Sequence, residues 1–576
     1  MICAGIIINL RVINYKHQND NKKGGINMTN KEYADILLPG VEKSWEEYEK
    51  MYPERDLPEG AMVTRYAPSP TGFVHIGALE SSFFDKRFAK QSGGICYLRI
   101  EDTDQERSIE NGISQIIDSL KSFNITFDEG PISETEEKGN YGPYIQTKRA
   151  DIYRAFAKKL IEEDKAYASF LSKEELEKMR EEQMKSKQRI GVYGRYAKDR
   201  NLSKEEVIER INNGEKFIIR IKSPGSFFNK IKVTDLVKGT MEMPENDIDE
   251  VIIKSDGIPT YHFASVIDDH LMHTTHIIRG DEWLSSLPKH IQLNEMLGFK
   301  LPKYVHYAPL TKNDNGTIRK LSKRKDPEAA VSFFTEDGVP KEAIMLYLAT
   351  VANSNFEGWL DQNPNASIDE FKFDFKKIPS SSGTLFDLPK LYNISKNFIS
   401  RLTKDEVYNR TLDYATKYDE ELKELLLKYP DYSKEIFNIE REQKKPRKDY
   451  EKFSDVKGQI WYMFDELFNK EDKSYEWQTV TDKDEIKNIL NSYIEIYDEN
   501  DDKETWFNKI KELCDKLGYA SDMKAYKENP DNFKGSVADV STVIRVGTTT
   551  RSQTPDLYEI LRILGKERVK ERFNLL

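Results

Sequence analysis

Between residues 61 and 130, short apolar runs alternate with amphipathic stretches. The runs AMVTRYA (61–67) and ICYLRIED (95–102) predict two strands. GALESSFFDKRFAKQSGG predicts a helix that ends at Gly93–Gly94, and SIENGISQIIDSLKSFN predicts a second helix with Ser108 as its N-cap. The order strand, helix, strand, helix within about sixty residues predicts a parallel α/β sheet.

The periodicity changes twice farther along the chain. From 131 to 255, charged helical stretches and short strand-like runs interrupt the α/β pattern, which resumes with TYHFASVIDDHL. From about 390 onward the apolar spacing is mostly helical, and a last helix is expected to begin at Thr554–Pro555 and to run through DLYEILRILGKERVKERF. The pattern predicts an α/β domain with an insertion, followed by a helical region.

Composition narrows the class of protein. Of the 576 residues, 38% are hydrophobic and 32% are charged, which is typical of a multidomain protein with several cores. No apolar run reaches the roughly 18 residues of a membrane span. The net charge of −11 argues against an evenly basic surface, although a local basic groove is compatible with it. Cys3, Cys96 and Cys514 are far apart and form no CxxC pair, which argues against disulfides and structural zinc and is typical of a cytosolic protein.

The first 27 residues carry a different signal. KKGGINM ends at Met28, and Lys-Lys-Gly-Gly can be encoded AAA-AAA-GGA-GGA, which contains the bacterial ribosome-binding sequence AGGAGG. We hypothesise that residues 1–27 are a misassigned leader and that translation begins at Met28. The alternative is a real, disordered extension, and a peptide from this segment in the native protein would contradict the hypothesis.

The stretch RYAPSPTGFVHIGALESS joins the first predicted strand to the first predicted helix. Doubly wound folds bind nucleotides at such a turn, because the helix N-terminus presents N–H groups to phosphate. Gly72 and Gly77 leave room for a ligand, and His75 is placed to hydrogen-bond phosphate oxygens. A lone histidine in a turn is more often structural, but the spacing Pro-x-Pro-Thr-Gly-x-x-His-x-Gly favours a nucleotide site.

A second basic element lies beyond the second half of the predicted sheet. TIRKLSKRKDPE gathers four cations around Ser322: Lys320, Lys323, Arg324 and Lys325. Such a run is commonly a solvated face or a general nucleic-acid patch, so by itself it leaves these alternatives open.

Together the two elements resemble one family. HIGA and KLSKR resemble the HIGH and KMSKS motifs of class I aminoacyl-tRNA synthetases. Five segments resemble bacterial glutamyl-tRNA synthetase, in that family's order: RYAPSPTGFVHIG, LRIEDTDQERS, YGPYIQTKR, GIPTYHFASVIDDHLMHTTHIIRGDEWLSSLPKH and GTIRKLSKRKDPE. The resemblance is dense over 61–400 and weaker beyond, where VSTVIRVGTTTRSQTPDLYEILRILGKERV resembles the closing segment. Glutaminyl relatives carry Pro-Glu-Pro-Asn-Gly where this chain has Pro-Ser-Pro-Thr-Gly, and short tRNA-modifying paralogues lack the C-terminal region.

The resemblance implies an α/β fold in which a Rossmann-like class I synthetase catalytic domain carries an inserted acceptor-arm domain. A mostly α-helical anticodon-binding region would follow. The implied boundaries are 28–60 for an N-terminal extension, 61–130 and 256–310 for the two catalytic halves, 131–255 for the acceptor-binding insertion, 311–390 for a stem-contact region with the KLSKR loop, and 391–576 for the anticodon-binding region.

The resemblance also implies an activity, glutamate–tRNA ligase (EC 6.1.1.17). Such enzymes activate L-glutamate with ATP to glutamyl-adenylate and transfer it to the 3′-terminal adenosine of tRNA(Glu). Mg²⁺ is expected with ATP and zinc is not, since the positions where some members carry cysteines are Ala168, Ser169 and Leu171 here. A cytoplasmic monomer with no membrane partner is implied, whereas charging of tRNA(Gln) and the residues that read the anticodon stay open.

The family's functional residues map onto this chain individually. Those implied in catalysis are His75, Gly77, Lys320, Lys323 and Arg324, and those around ATP include His75, Gly77 and Lys323 with Pro68, Thr71 and Gly72. Those implied at glutamate are Arg65, Ser69, Glu101, Tyr261 and Arg279.

The chemistry of glutamate fits this last set. Glu101 suits the ammonium group, and Arg65 and Tyr261 suit a carboxylate. How Arg65 and Arg279 divide the two carboxylates is open, although we expect Arg65 to set the preference over glutamine. Ser265 stands where the family often has Asn, so its shorter hydroxyl would need a water to reach the same substrate atom.

Two other classes of function remain as alternatives. A nucleic-acid-binding or regulatory paralogue would have kept the fold and lost catalysis, which the intact His75, Gly77 and Lys323 argue against. Another nucleotidyl transferase would not need the insertion or the helical region. Glutamate-dependent ATP–pyrophosphate exchange, with and without tRNA, distinguishes these alternatives.

Overall fold

A computed structural model describes residues 28–70, 74–104, 109–322, 325–380, 384–471 and 473–576. These residues form two compact units. The first comprises residues up to Val331 together with Leu348–Phe386, and the second comprises Ser332–Tyr347 together with Asp387–Leu576. The leader hypothesis concerns residues 1–27, which lie outside the described ranges.

The helices and strands up to residue 386 follow in chain order. They are α1 (Asn30–Leu37), α2 (Trp45–Met51), β1 (Val63–Tyr66), α3 (Ile76–Gln91), β2 (Ile95–Leu98), α4 (Gly112–Ser122), β3 (Gly130–Pro131), β4 (Glu137–Lys138), α5 (Ala150–Glu162), β5 (Ala166–Ser169), α6 (Lys173–Lys185), α7 (Lys204–Asn212), β6 (Ile218–Ile221), β7 (Lys230–Asp235), β8 (Gly239–Pro244), β9 (Val251–Ile253), α8 (Tyr261–Leu271), β10 (His276–Gly280), α9 (Leu287–Leu297), β11 (Lys303–Tyr307), β12 (Leu310–Asp314), β13 (Thr317–Lys320), α10 (Val331–Glu336), α11 (Lys341–Ala352), α12 (Asn355–Gln362) and β14 (Thr384–Leu385).

The remaining elements are all helices. They are α13 (Leu388–Arg401), α14 (Lys404–Tyr418), α15 (Glu420–Lys428), α16 (Pro430–Asn438), α17 (Val456–Ile460), α18 (Asp465–Phe468), α19 (Lys483–Ile496), α20 (Lys503–Leu517), α21 (Met523–Glu528), α22 (Val537–Thr549), α23 (Leu557–Leu564) and α24 (Lys566–Phe573). Within the described ranges, none of the helices is long and apolar enough to span a bilayer.

Parallel strands place the residues of the first unit that matter for function. β1 pairs with β2 with Arg65 opposite Tyr97, and β10 pairs with β11 with Arg279 opposite His306. The backbone N–H of Thr275 donates to the carbonyl of Val63 at 3.0 Å, which joins the start of β10 to β1. The predicted parallel α/β arrangement is confirmed, and the carboxyl ends of these strands meet at one edge.

Helix α3 contacts β11 through Phe84, whose ring centroid lies 4.7 Å from that of Tyr307, while Phe83 and Phe88 pack against Phe373 and Phe375; all three phenylalanines of α3 are buried. The chain then turns into β2 at Gly94, where it passes very close to the strand before it. A Cβ at Gly94 would lie 2.0 Å from the carbonyl oxygen of Met62, so no larger residue fits without moving the backbone.

Two helix ends differ from the sequence prediction. α4 begins at Gly112, because Asn111 adopts a left-handed conformation (φ 54°) that a right-handed helix does not continue through. Ser108, the predicted N-cap, lies outside the described residues. The last predicted helix begins after Asp556, whose side chain accepts the N–H of Glu559, and it divides at Gly565 (φ 80°) into α23 and α24.

Candidate active site

One pocket of about 650 Å³ opens at the carboxyl ends of β1 and β10, beside the N-terminus of α3. Nine of the thirteen residues expected at the site line it: Arg65, Pro68, Ser69, His75, Gly77, Glu101, Tyr261, Arg279 and Lys320. The other four, Thr71, Gly72, Lys323 and Arg324, lie outside the described residues.

His75 directly precedes α3 and turns its ring back over the first turn of the helix. Its Nδ1 accepts the backbone N–H of Ala78 at 3.2 Å, which makes His75 the N-cap. Because Nδ1 accepts, the proton of the neutral ring lies on Nε2, which is then a donor. A Cβ at Gly77 would lie 3.0 Å from Nδ1, so the glycine lets the ring take this position. An imidazole donor and a helix N-terminus together suit a phosphate.

Arg99 lies at the centre of a buried charge network beneath the pocket. Its Nη1 donates to Asp269 (2.8 Å), and its Nη2 donates to Glu101 (2.9 Å) and to Ser265 (3.2 Å). Arg65 Nε donates to the same Asp269 carboxylate at 3.2 Å. Burial alone would raise the pKa of Asp269, but the charges of Arg99 and Arg65 outweigh it and lower this pKa. The hydroxyl of Ser265 therefore belongs to the supporting network beneath the substrate side of the pocket.

The neighbouring carboxylate, Asp268, holds a second buried network. It accepts hydrogen bonds from Arg149 Nε (2.7 Å), Tyr153 Oη (2.8 Å) and Gln146 Nε2 (3.0 Å). Sequence reasoning did not single out Arg99, Arg149, Asp268 or Asp269, although all four lie inside the segments that carry the family resemblance. The signal in the sequence that could have identified them was the presence of charged residues within otherwise apolar strands and helices.

Glu101 and Tyr261 bring an acid and a hydroxyl to the same pocket. Burial raises the pKa of Glu101, while the charges of Arg99 and Arg65 oppose that rise. Burial and the nearby Glu101 raise the pKa of Tyr261 to about 12, so its hydroxyl is a neutral hydrogen-bond donor at pH 7. The Tyr261 ring lies 5.0 Å from the ring of Trp283, centroid to centroid, which fixes its orientation.

Arg279 differs from the other arginines of the pocket in its partners. Its Nε donates to His306 Nε2 at 2.9 Å, and its Nη1 lies 3.3 Å from His290 Nδ1. Its Nη2 is buried and has no hydrogen-bond partner among the described residues. Burial lowers the pKa of Arg279. Neutral rings thus take the place that a carboxylate takes beside Arg65 and Arg99.

Two further carboxyl groups are buried on α3. Glu80 lines the pocket with its Oε1 unpartnered among the described residues, and burial raises its pKa to about 8, although Lys320 opposes the rise. Both carboxyl oxygens of Asp85 are likewise unpartnered among the described residues, and burial raises its pKa well above the ordinary value. Lys320 itself contacts Glu282 across the pocket mouth.

The loop that carries Lys323 and Arg324 is anchored at its described ends. Arg319 donates to both oxygens of Asp326, at 2.7 and 2.8 Å, and the backbone N–H of Ser322 donates to Asp326 Oδ2 at 2.8 Å. One carboxylate therefore ties the end of the β12–β13 hairpin to the segment after the basic run.

Two of the three positions discussed for zinc lie in a strand, and one of them makes a side-chain contact. Ala168 and Ser169 lie in β5, and the hydroxyl of Ser169 is 3.2 Å from Asp199 Oδ2. Nowhere in the described ranges do three or more His, Cys, Asp or Glu side chains gather as a metal-binding group.

The second unit carries a cluster of arginines around a small cleft lined by Arg441, Arg447, Arg551 and Gln553. Arg441 Nε donates to the carbonyl of Phe437 at 2.7 Å, and Arg551 Nη2 donates to the carbonyl of Gly458 at 3.0 Å. Arg447 is paired with Asp449, which also lines the cleft, whereas no ion pair joins Arg441 or Arg551 to a carboxylate in the part of the chain that the structure describes, so the cleft keeps positive charge.

Two family models match the chain. The model described as tRNA synthetases class I (E and Q), catalytic domain, matches residues 61–361, and the anticodon binding domain model matches residues 421–575. The first match holds the whole pocket, and the second holds the arginine cluster.

Curated relatives and solved structures give the same result. The chain is 48% identical over 547 residues to a glutamate–tRNA ligase of Clostridium perfringens, covering 95% of this chain and 99% of the relative. It is 46% identical over 550 residues to a glutamate–tRNA ligase of Acetivibrio thermocellus. A crystal structure of a glutamate tRNA ligase from Elizabethkingia meningosepticum in complex with its amino acid aligns with a TM-score of 0.72 at 25% identity, covering 89% of this chain and 98% of that one.

Proposed function

The chain belongs to the glutamate–tRNA ligases of class I, and we propose that the pocket at the carboxyl ends of β1 and β10 is where it activates glutamate with ATP. The enzyme joins L-glutamate to tRNA(Glu), with ATP as the second substrate. What is proposed is the role of each residue in this chemistry.

The phosphates of ATP are proposed to bind at the start of α3. His75 Nε2 and the N–H groups of the helix N-terminus supply donors for the α-phosphate, which glutamate attacks. Lys320 and Lys323 would stabilise the charge that develops on the leaving pyrophosphate. Mg²⁺ enters with ATP as part of that substrate. Both steps move charge between oxygens, so positioning and charge stabilisation carry the catalysis.

Glutamate is proposed to lie across the charge network. Glu101 binds the ammonium group, Tyr261 donates its hydroxyl to a carboxylate, and the two carboxylates divide between Arg65 and Arg279. One observation carries this proposal: Arg279 lines the pocket, and its Nη2 is a buried cationic donor that lacks a partner among the described residues. A buried charge without a counter-ion is costly, and an anionic substrate supplies that counter-ion.

The two arginines differ in their capacity to select glutamate over glutamine. Arg65 already shares Asp269 with Arg99, whereas the hydrogen-bond partners of Arg279 among the described residues are neutral rings. Replacing the side-chain carboxylate by an amide would leave Arg279 unpaired, at about 3–5 kcal/mol. We therefore propose Arg279 as the stronger selector, in place of the expectation for Arg65.

Specificity constants test the assignment. Glutamate and glutamine are compared as substrates for wild type, Arg65→Gln and Arg279→Gln in aminoacylation of tRNA(Glu). We expect Arg279→Gln to narrow the ratio of the specificity constant for glutamate to that for glutamine by about a hundredfold or more. We expect Arg65→Gln to lower the two specificity constants by the same factor. If Arg65→Gln narrows this ratio and Arg279→Gln does not, Arg65 is the residue that selects glutamate.

The remaining proposals concern partners. The arginine cluster of the second unit is proposed to contact tRNA, and Arg551→Ala should raise the KM for tRNA without changing the KM for glutamate. We also propose a cytoplasmic monomer that needs no zinc; light scattering measures the oligomeric state. Separate tRNA(Glu) and tRNA(Gln) transcripts test whether the enzyme charges both.

A further inference from the structure

The hydrogen bonds around Arg279 determine where three imidazole rings carry their protons. Arginine N–H groups only donate, so His306 Nε2 and His290 Nδ1 must accept. His306 then carries its proton on Nδ1, which is 2.8 Å from Asp235 Oδ2. His290 carries its proton on Nε2, which is 2.8 Å from His262 Nδ1. Each of these three rings then has one accepting and one protonated nitrogen, which describes neutral imidazole.

The surroundings keep these rings neutral. Burial lowers the pKa of His290 well below its ordinary value, and the charges of Arg279, Lys289 and Arg65 act in the same direction. Burial lowers the pKa of His262 to about 4. Burial also lowers the pKa of His306, although the Asp235 carboxylate opposes this and Arg279 and Lys238 favour it.

We propose that His290 and His306 are positioning residues that hold Arg279 without neutralising it, so that its remaining edge is kept for a carboxylate of the substrate. This inference rests on the proposed role of Arg279 in binding glutamate. Acidic side chains at these two places would satisfy the same N–H groups, but they would also supply the counter-ion. Neutral acceptors fix the plane of the guanidinium and leave its charge for the ligand.

The neighbouring arginines show the contrast within the same pocket. Arg99 contacts three carboxylates, Asp269, Glu101 and, at 3.8 Å, Asp268, and Arg65 contacts the first of these. Within the described ranges, Arg279 reaches a protein carboxylate only through the intervening ring of His306, whose other nitrogen contacts Asp235. The protein thus balances the charges of Arg65 and Arg99 internally and leaves the charge of Arg279 for the substrate.

The geometry predicts a crossover between conservative variants. Glutamine can place its amide oxygen where Nε2 of histidine lies, and asparagine can place its own where Nδ1 lies. At position 306 the acceptor for Arg279 is Nε2, so His306→Gln should keep the wild-type KM for glutamate and His306→Asn should raise it. At position 290 the acceptor is Nδ1, so His290→Asn should keep the KM and His290→Gln should raise it. Loss of a hydrogen bond to a charged group predicts a rise of about tenfold to a hundredfold.

The experiment measures kcat and the KM values for glutamate and ATP in aminoacylation of tRNA(Glu), with the melting temperature of each variant. His276→Asn is the matched control, because His276 lies on β10 three residues before Arg279 and is buried, but it contacts Thr275 and packs near Phe375. We expect His276→Asn to keep the wild-type KM for glutamate. We expect the KM for ATP to stay constant in all five histidine variants.

The outcomes separate this inference from the proposed function. The crossover with an unchanged KM for ATP supports the positioning role. If Arg279→Gln raises the KM for glutamate, while the Asn and Gln variants at each histidine give the same KM, the positioning role is overturned and the role of Arg279 stands. If Arg279→Gln leaves this KM unchanged, the proposed role of Arg279 fails and the inference fails with it.

Discussion

Substitution of Glu80 by Gln should stabilise the protein, and the gain should grow with pH. Glu80 lies on α3 with 2% of its surface exposed, and its Oε1 has no partner among the described residues. A charged carboxylate at such a place loses its hydration, so burial raises its pKa to about 8 even though Lys320 lies nearby. The folded protein therefore holds this proton more tightly than the unfolded chain does.

The sign and the size of the effect follow from that difference. Below the ordinary pKa of 4.5, Glu80 is protonated in both states and adds no pH dependence. Above it, only the unfolded chain releases the proton, so the free energy of unfolding falls until the pH reaches about 8. The difference between 4.5 and about 8 is about 3.5 in pKa, which at about 1.4 kcal/mol each gives a total near 5 kcal/mol.

Urea unfolding of wild type and Glu80→Gln at pH 6 and pH 9 measures this effect. Glutamine is neutral at both values, so the stability gap in favour of the variant should widen by about 2–3 kcal/mol over this interval. Glu282 contacts the same Lys320 and its charge also raises the pKa of Glu80, so Glu282 is left unchanged in both proteins. A gap for Glu80→Gln that is equal at pH 6 and pH 9 would refute the reasoning.

Four other outcomes are expected. Asp269→Asn should lower the free energy of unfolding by about 3–5 kcal/mol, because it leaves two buried arginines without their shared carboxylate; a loss below about 1 kcal/mol in urea would contradict this. Gly94→Ala should destabilise the protein by about 1–3 kcal/mol, because its methyl group meets the backbone at Met62; an unchanged melting temperature would count against the close approach. Lys323→Ala should cost about 2–4 kcal/mol in the transition state of adenylate formation; an unchanged kcat with a raised KM for glutamate would assign the lysine to binding instead. Elemental analysis should find no stoichiometric zinc, and one tightly held zinc per chain would overturn that expectation.

Sequence reasoning located the pocket because its motifs lie at the ends of consecutive elements. RYAPSP ends one strand, LRIED ends the next, and HIGA begins the helix between them. Once the strands are known to be parallel, these ends meet at one edge without any knowledge of side-chain packing. That rule sufficed to bring together Arg65, His75 and Glu101, which all line the pocket.

The sequence carried much less information about what supports these residues. Arg65 and Asp269 are 204 positions apart, and a buried arginine gives no sign of which distant carboxylate it contacts. The start of α4 depended on the conformation of Asn111, and the break in the last helix depended on Gly565. Both are local backbone choices that apolar spacing does not report, because the hydrophobic positions continue across them.

The charge balance of the pocket links the network to the choice of substrate. Arg65, Arg99, Arg149 and Arg279 carry four positive charges, and the carboxylates they contact directly, Asp268, Asp269 and Glu101, carry three negative charges, which leaves one positive charge. Glutamate at pH 7 has two carboxylates and one ammonium group, so its net charge of about −1 completes the balance, whereas glutamine is neutral overall. If glutamate binds here as proposed, selection for the acid does not depend on one contact alone, since an amide in the pocket leaves the whole network one charge short. Arg279 contacts no carboxylate among the described residues, so it is the arginine that would lack a counter-ion when an amide is bound.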